Sequence, residues 1–164
     1  MRYALVNPNW TFEGSIYFGC REPHLPLEYG YSKAVLEKHS DEAVIIDAQL
    51  EKLSLSDVRR RVQEYAPDFT VLTTAPSYLF WRCAPPELRV PQETIEALRE
   101  VAGKIVVVGP HASTTPKATL RKLGADVAVL GECEEILPEL SKPWPQVSSI
   151  CYWAGGEPWV QGGT

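Results

Sequence analysis

The sequence predicts a doubly wound α/β domain: a five-stranded parallel sheet with helices on both faces, followed by a β-hairpin appendage. Three observations carry this. Five short apolar runs rich in Val and Ile are continuous rather than alternating, the mark of strands covered on both faces. Stripes of apolar residues at helical spacing lie between those runs, and strands alternating with helices at this spacing imply a parallel sheet. The C-terminal stretch then changes character, to two short strand-like runs around a Gly-Gly pair.

The strands are expected at Tyr3 to Val6, Ala43 to Ile46, Phe69 to Thr73, Ile105 to Val108 and Val127 to Leu130. In the first helix, Leu27, Tyr31, Ala34 and Val35 are expected to share the buried face. In the second, Leu55, Val58, Val62 and Tyr65 form a stripe, with Ser54 as N-cap and Asp57 three residues on. A third stripe runs Ile95, Leu98, Val101, Ala102, with Pro91 near its start and Gly103 past its end. The fourth helix has Thr115 as cap, Pro116 at the first helical position and Gly124 at its end. A short fifth helix is expected over Glu134 to Leu140, interrupted by Pro138. Ser149 to Trp153, Gly155-Gly156 and Glu157 to Val160 read as a hairpin, joined by the linker Pro143-Trp144-Pro145. The domain division that follows is residues 1–142 for the α/β unit and 143–164 for the linker and hairpin.

A chain of 164 residues fits one domain and can bury a proper core. Its net charge of −5, with Lys and Arg scattered, argues against nucleic acid as a partner. The triplet Arg59-Arg60-Arg61 falls in a helical pattern and reads as a solvated face. With no signal peptide and no long apolar run, the chain reads as soluble, cytoplasmic and without a membrane partner. Cys20, Cys83, Cys133 and Cys151 form no CxxC pair, so they predict reduced thiols rather than a metal site.

Ligands of open parallel sheets bind beyond the carboxyl ends of the strands, which directs attention to the residues after each strand. Those are Asn7-Pro8-Asn9-Trp10, then Thr73-Thr74-Ala75-Pro76-Ser77, then Gly109 to Thr114, then Gly131-Glu132. There is no GxGxxG and no GxxxxGK[ST], which excludes the dinucleotide and triphosphate loops. A phospho-receiver would need acids where Asn7 and Thr73-Thr74 stand, and no nucleophile elbow is present. What remains is a rim of glycine, hydroxyl and amide groups. Small residues let a bulky planar ligand approach the backbone, and hydroxyls and free N–H groups can hold its amides, ribose or phosphate. Asp47, at the end of the second strand, reads equally as a polar contact or as a solvated turn.

Four features of these residues carry a resemblance to a known family. They are Pro26-Leu27-Glu28-Tyr29-Gly30-Tyr31 with Ala34-Val35-Leu36, Ile45-Ile46-Asp47-Ala48, Val106 to Ser113, and Leu130-Gly131-Glu132-Cys133-Glu134. Over residues 1–140 the chain resembles the N-terminal cobalamin (B12)-binding domain of B12-dependent radical SAM enzymes, the last two stretches matching its "GGPH" and "GEGE" turns. The resemblance implies a flavodoxin-like sheet with the corrin over the strand ends and the nucleotide tail running down between sheet and helices. Thr73 and Thr74, with Pro76 just beyond, would line the tail's channel. Gly109 would give it room, His111, Ala112 and Ser113 would surround it, and Gly131 and Glu132 would close the other side. The loop that opens at Pro8 and Asn9 and runs to Pro26 would cover the corrin's lower face; His24 in it reads as a solvent-facing histidine, the alternative being that it reaches cobalt. Glu28, Pro110 and Cys133 each stand where the family or its older B12 relatives carry glycine.

The methionine-synthase-type DxHxxG is missing after the first strand, so no histidine ligand to cobalt is expected from that motif. CxxxCxxC is also missing, so a [4Fe–4S] cluster and S-adenosylmethionine would belong to a downstream radical SAM domain of the same polypeptide, not to this segment. The chain is thus expected to be a cobalamin-binding module of such an enzyme, a methyltransferase for example, and not catalytic by itself. The tail leads towards the absent catalytic domain, and the ending "VQGGT" reads as an excision point. A ligand-free scaffold for protein contact is the other reading, with Trp144, Trp153 and Trp159 either forming an interface patch or packing the hairpin onto the domain. A free-standing mutase subunit is disfavoured by the missing DxHxxG.

Overall fold

In a computed structural model, the structure describes residues 1–10, 24–76 and 88–162. One sheet of seven strands runs through the molecule in the order β2-β1-β3-β4-β5-β6-β7. Its strands are β1 (Arg2–Asn7), β2 (Glu42–Asp47), β3 (Phe69–Thr73), β4 (Lys104–Val108), β5 (Val127–Val129), β6 (Ile150–Ala154) and β7 (Glu157–Gln161). The first five are parallel, as their continuous Val/Ile runs require. The hairpin β6–β7 pairs antiparallel onto β5, Val127 opposite Tyr152 and Val129 opposite Ile150, so it completes the same sheet.

Two apolar layers flank the sheet. On one face Ala4, Val6, Leu72, Ile105 and Val107 meet side chains of five helices. These are α2 (Ala48–Glu51), α3 (Leu55–Tyr65), α4 (Arg89–Leu98), α5 (Pro110–Thr114) and α6 (Pro116–Leu123). On the other face Tyr3, Leu5, Val71, Val106, Val127 and Ile150 meet Tyr29 and Leu36 of α1 (Leu27–Lys38), and Leu137 and Leu140 of a 3-10 helix, Leu137–Ser141. Tyr3 stacks on Phe69 with ring centroids 5.0 Å apart, and its hydroxyl donates to the Leu137 carbonyl.

Local signals explain some helix ends. Ser54 and Asp57 form the expected capping box of α3. The arginine triplet on that helix is taken up by carboxylates: Arg59 by Glu100, Arg60 by Asp57 and Glu64, Arg61 by Glu51. Thr115 occupies the N-cap position of α6, but its hydroxyl donates to the His111 carbonyl instead of capping. α4 ends at Leu98, so Val101 and buried Ala102 pack from the turn beyond it. Around Pro138 the chain forms the 3-10 turn and not an α-helix, because proline cannot donate to the preceding turn. Asp47 is largely buried and has a local structural role. It caps the short α2 by accepting from Leu50 N–H, and it accepts from the Asn7 side-chain amide at 2.8 Å.

One helix is rotated by half a turn from its expected placement. α1 buries Tyr29, Ser32 and Leu36, whereas Leu27 and Tyr31 stand 61% and 65% exposed. Apolar residues lie on both sides of this helix, so the periodicity did not choose a face. The Tyr29 hydroxyl makes the choice, by reaching the Val6 carbonyl and the Thr73 amide at the sheet's end.

Candidate functional site

The site lies at the carboxyl ends of β3, β4 and β5, where backbone is exposed by glycine. Gly109 follows β4 with φ 96° and ψ −166°, a conformation closed to residues with a side chain. A Cβ there would sit 3.1 Å from Thr73 Oγ1 and 3.2 Å from Thr74 Oγ1. The chain then enters α5 directly, so the stretch read as a turn is a glycine followed by one helical turn. Thr74 secures the approach: its N–H donates to the Val108 carbonyl and its Oγ1 accepts from His111 N–H.

Ser113 ties the two glycine turns together. Its hydroxyl donates to the Gly109 carbonyl and accepts from the Gly131 N–H, both at 3.0 Å. The ends of β4 and β5 are thereby held in one rigid wall, and the Gly131 N–H is spent on that wall. Between this wall, the end of β3 and the start of α1 lies a cleft of about 240 Å³, lined by Glu28, Thr73, Val108, Gly109, Pro110, Ser113, Gly131, Glu132 and Cys133.

Of the residues expected from sequence, Thr73, Gly109, Ser113, Gly131 and Glu132 come together here. The others are placed elsewhere. Thr74 supports the cleft from beneath through its two hydrogen bonds. Ala112 is fully buried in the α5 side of the core. His111 is half-buried, and its carbonyl accepts from Thr115 and Thr119. Asn9 turns towards the start of α3 and donates to Leu53 O at 3.2 Å, while Pro8 and Pro76 are buried. His24 is exposed at the end of the described stretch. The body of the covering loop, Ser77, Cys20, Cys83 and the terminal Gly163-Thr164 lie outside the described residues.

Pro110, of the expected stretch after β4, also lines the cleft, and Glu28, Val108 and Cys133 line it without having been expected to. Glu28 and Cys133 had a signal, since both stand at positions of glycine in the resembled family. The Cys133 thiol sits 3.5 Å from Ser32 Oγ, and burial pushes its pKa from 9.0 up to about 12. It is therefore a neutral, weakly polar wall. Among the described residues there is no group of three or more His, Cys, Asp or Glu able to hold a metal ion, and no helix long and apolar enough to cross a membrane.

Burial likewise raises the phenols of Tyr3 and Tyr29. All three groups keep their protons in the folded chain at pH values where the unfolded chain loses them. From about pH 9 upwards the folded state therefore binds more protons, and stability falls as pH rises, by up to about 1.4 kcal/mol per pH unit for each group. Urea midpoints at pH 8 and pH 10.5 are the check: a clear drop is expected, and an unchanged midpoint contradicts this.

The B12 binding domain family model matches residues 21–141. An uncharacterized methyltransferase of Pyrococcus horikoshii is 30% identical over 141 residues, covering 85% of this chain and 28% of that protein. Among solved structures, the radical S-adenosylmethionine methyltransferase TsrM from Kitasatospora setae, with tryptophan substrate and a SAM analog bound, superposes with TM-score 0.77 at 20% identity, over 98% of this chain and 30% of that one. The cobalamin-dependent S-adenosylmethionine radical enzyme OxsB, with aqua-cobalamin and S-adenosylmethionine bound, superposes with TM-score 0.71 at 17% identity, over 99% of this chain and 22% of that one. The chain thus spans less than a third of each of these proteins.

Proposed function

The chain belongs to the B12-binding domain family, and we propose that it is the cobalamin-holding module of a radical SAM enzyme, a methyltransferase being the reading its relatives favour. The observation that carries this is the glycine-walled cleft at the ends of β3, β4 and β5, locked by Ser113.

The residues present fit the cofactor. A corrin macrocycle is too wide for a cleft of about 240 Å³, but its slender nucleotide tail is not. Gly109 and Gly131 place bare backbone against such a tail. Thr73 and Ser113 supply hydroxyls, and Cys133 an uncharged wall. Glu28 and Glu132, at the rim, can accept from the amide N–H groups that fringe a corrin. When bound, cobalamin supplies an organometallic cobalt centre that can carry a methyl group. This chain's part is to hold and orient it.

The downstream partner we propose is the radical SAM domain of a longer polypeptide, where the cluster and S-adenosylmethionine would be bound. The outward side of α1, with Leu27 and Tyr31 exposed on it and Leu25 exposed just before it, suits a surface covered by such a domain. We place the protein in the cytoplasm, a reading supported by the free buried thiols of Cys133 and Cys151.

The test is direct. Hydroxocobalamin added to the folded chain should shift the corrin absorption spectrum and raise the melting temperature. At one hundred times Kd the stabilisation is about 2.7 kcal/mol. A folded chain that leaves both the spectrum and the melting temperature unchanged overturns the module reading.

A further inference from the structure

The winding of the sheet reverses between β1 and β3, since β2 lies on one side of β1 and every later strand on the other. In open α/β sheets this reversal is where a crevice opens and ligands enter. Here the strands do part at that point. β1 pairs with β2 as far as Asn7 opposite Asp47, and β3 pairs with β4 as far as Thr73 opposite Val108. Between β1 and β3 the pairing stops one residue sooner, at Val6 opposite Leu72.

A side chain fills the gap. Tyr29 of α1 is wholly buried, and its hydroxyl accepts from Thr73 N–H at 2.7 Å and donates to the Val6 carbonyl at 2.8 Å. These are the two backbone groups that the next rung of a parallel ladder would join. The phenol oxygen stands in for that rung. Burial keeps it protonated, as the donation to Val6 requires. The cleft lies one strand further along, and Thr73 belongs to both: its N–H is held by Tyr29 while the residue lines the cleft.

We propose that Tyr29 is a positioning residue for the corrinoid: its hydroxyl seals the crevice between β1 and β3, fixes Thr73, and so confines the nucleotide tail to the neighbouring cleft at β3, β4 and β5. This rests on the cobalamin reading above. It predicts an effect on the tail and not on the ring.

The experiment is Tyr29→Phe in the 164-residue chain, titrated with hydroxocobalamin and with cobinamide, which keeps the corrin ring but lacks the nucleotide. Leaving a buried donor and acceptor without their bridge should weaken hydroxocobalamin binding about tenfold, with the cobinamide Kd changed less than about twofold. Equal weakening of both, or no change in hydroxocobalamin affinity, overturns the proposal. A wild-type chain that binds neither corrinoid overturns the cobalamin reading itself, a result seen before the variant is made. Should Tyr29→Phe not fold, amide exchange on the wild-type chain decides. The Thr73 amide should stay protected both without ligand and with saturating hydroxocobalamin, and loss of its protection on binding overturns the seal.

Discussion

A chain ending at Lys142, without the linker and hairpin, is expected not to fold cooperatively. The hairpin strands bring Ile150 and Cys151 fully into the core and Tyr152 nearly so, and the linker before them buries Val147. Burying such side chains contributes roughly 1.5–3 kcal/mol for each large one, against a total stability of about 5–15 kcal/mol for a domain of this size. Their loss would also uncover Val127 and Val129 on β5, a strand only three residues long. β5 would then be a bare edge, ready to pair with another chain. The same strand leads into Gly131 and Glu132, so the cleft would lose one wall. Far-UV circular dichroism melting and size-exclusion chromatography of residues 1–142 check this. A sharp melt within a few degrees of the parent would show the hairpin to be dispensable.

Gly109→Val should remove corrinoid binding and destabilise the fold together. The backbone conformation at Gly109 costs a residue with a side chain about 1–3 kcal/mol. The added atoms would press on Thr73 Oγ1 and Thr74 Oγ1, the first of these on a residue of the cleft lining. At least a hundredfold weaker hydroxocobalamin binding is expected, about 2.8 kcal/mol or more. Gly131→Ala provides the contrast. Gly131 also has positive φ, 78°, but a Cβ there meets nothing within 4 Å. Its binding loss should be much smaller than that of Gly109→Val. Spectral titration of both variants beside thermal melts checks this, and retained affinity in Gly109→Val would remove Gly109 from the site.

Much of the fold was legible in the sequence because the signals were local. A Val/Ile run such as Ile105 to Val108 can be satisfied only in a covered strand. The Ser54-Asp57 box closes its own helix end without reference to anything distant. The cleft was half legible for a related reason. Residues after parallel strands must reach the sheet's end, so Thr73, Gly109, Gly131 and Glu132 could be placed by counting. Ala112 and Asn9 could not. Whether a residue one or two places past a strand faces the cleft or the core depends on the turn. Here α5 starts at once after Gly109 and swings Ala112 inward.

The α1 helix marks the boundary between the two kinds of information. Its existence and length follow from its residues. Its rotation does not, because apolar side chains lie on both sides. The tertiary structure settled it by hydrogen bonding. The Tyr29 hydroxyl finds the Val6 carbonyl and the Thr73 amide at the parted strands, and the Ser32 hydroxyl meets the Cys133 thiol at 3.5 Å. By itself, the sequence determined the strands, the capped start of α3 and the glycine turns, all set by steric and hydrogen-bonding demands within a few residues. Only the tertiary structure decided that the hairpin completes the sheet, that Ser113 joins two turns, and that Tyr29 plugs the winding reversal. Each of those depends on a polar group meeting a partner far away in the chain, and no local pattern encodes that meeting.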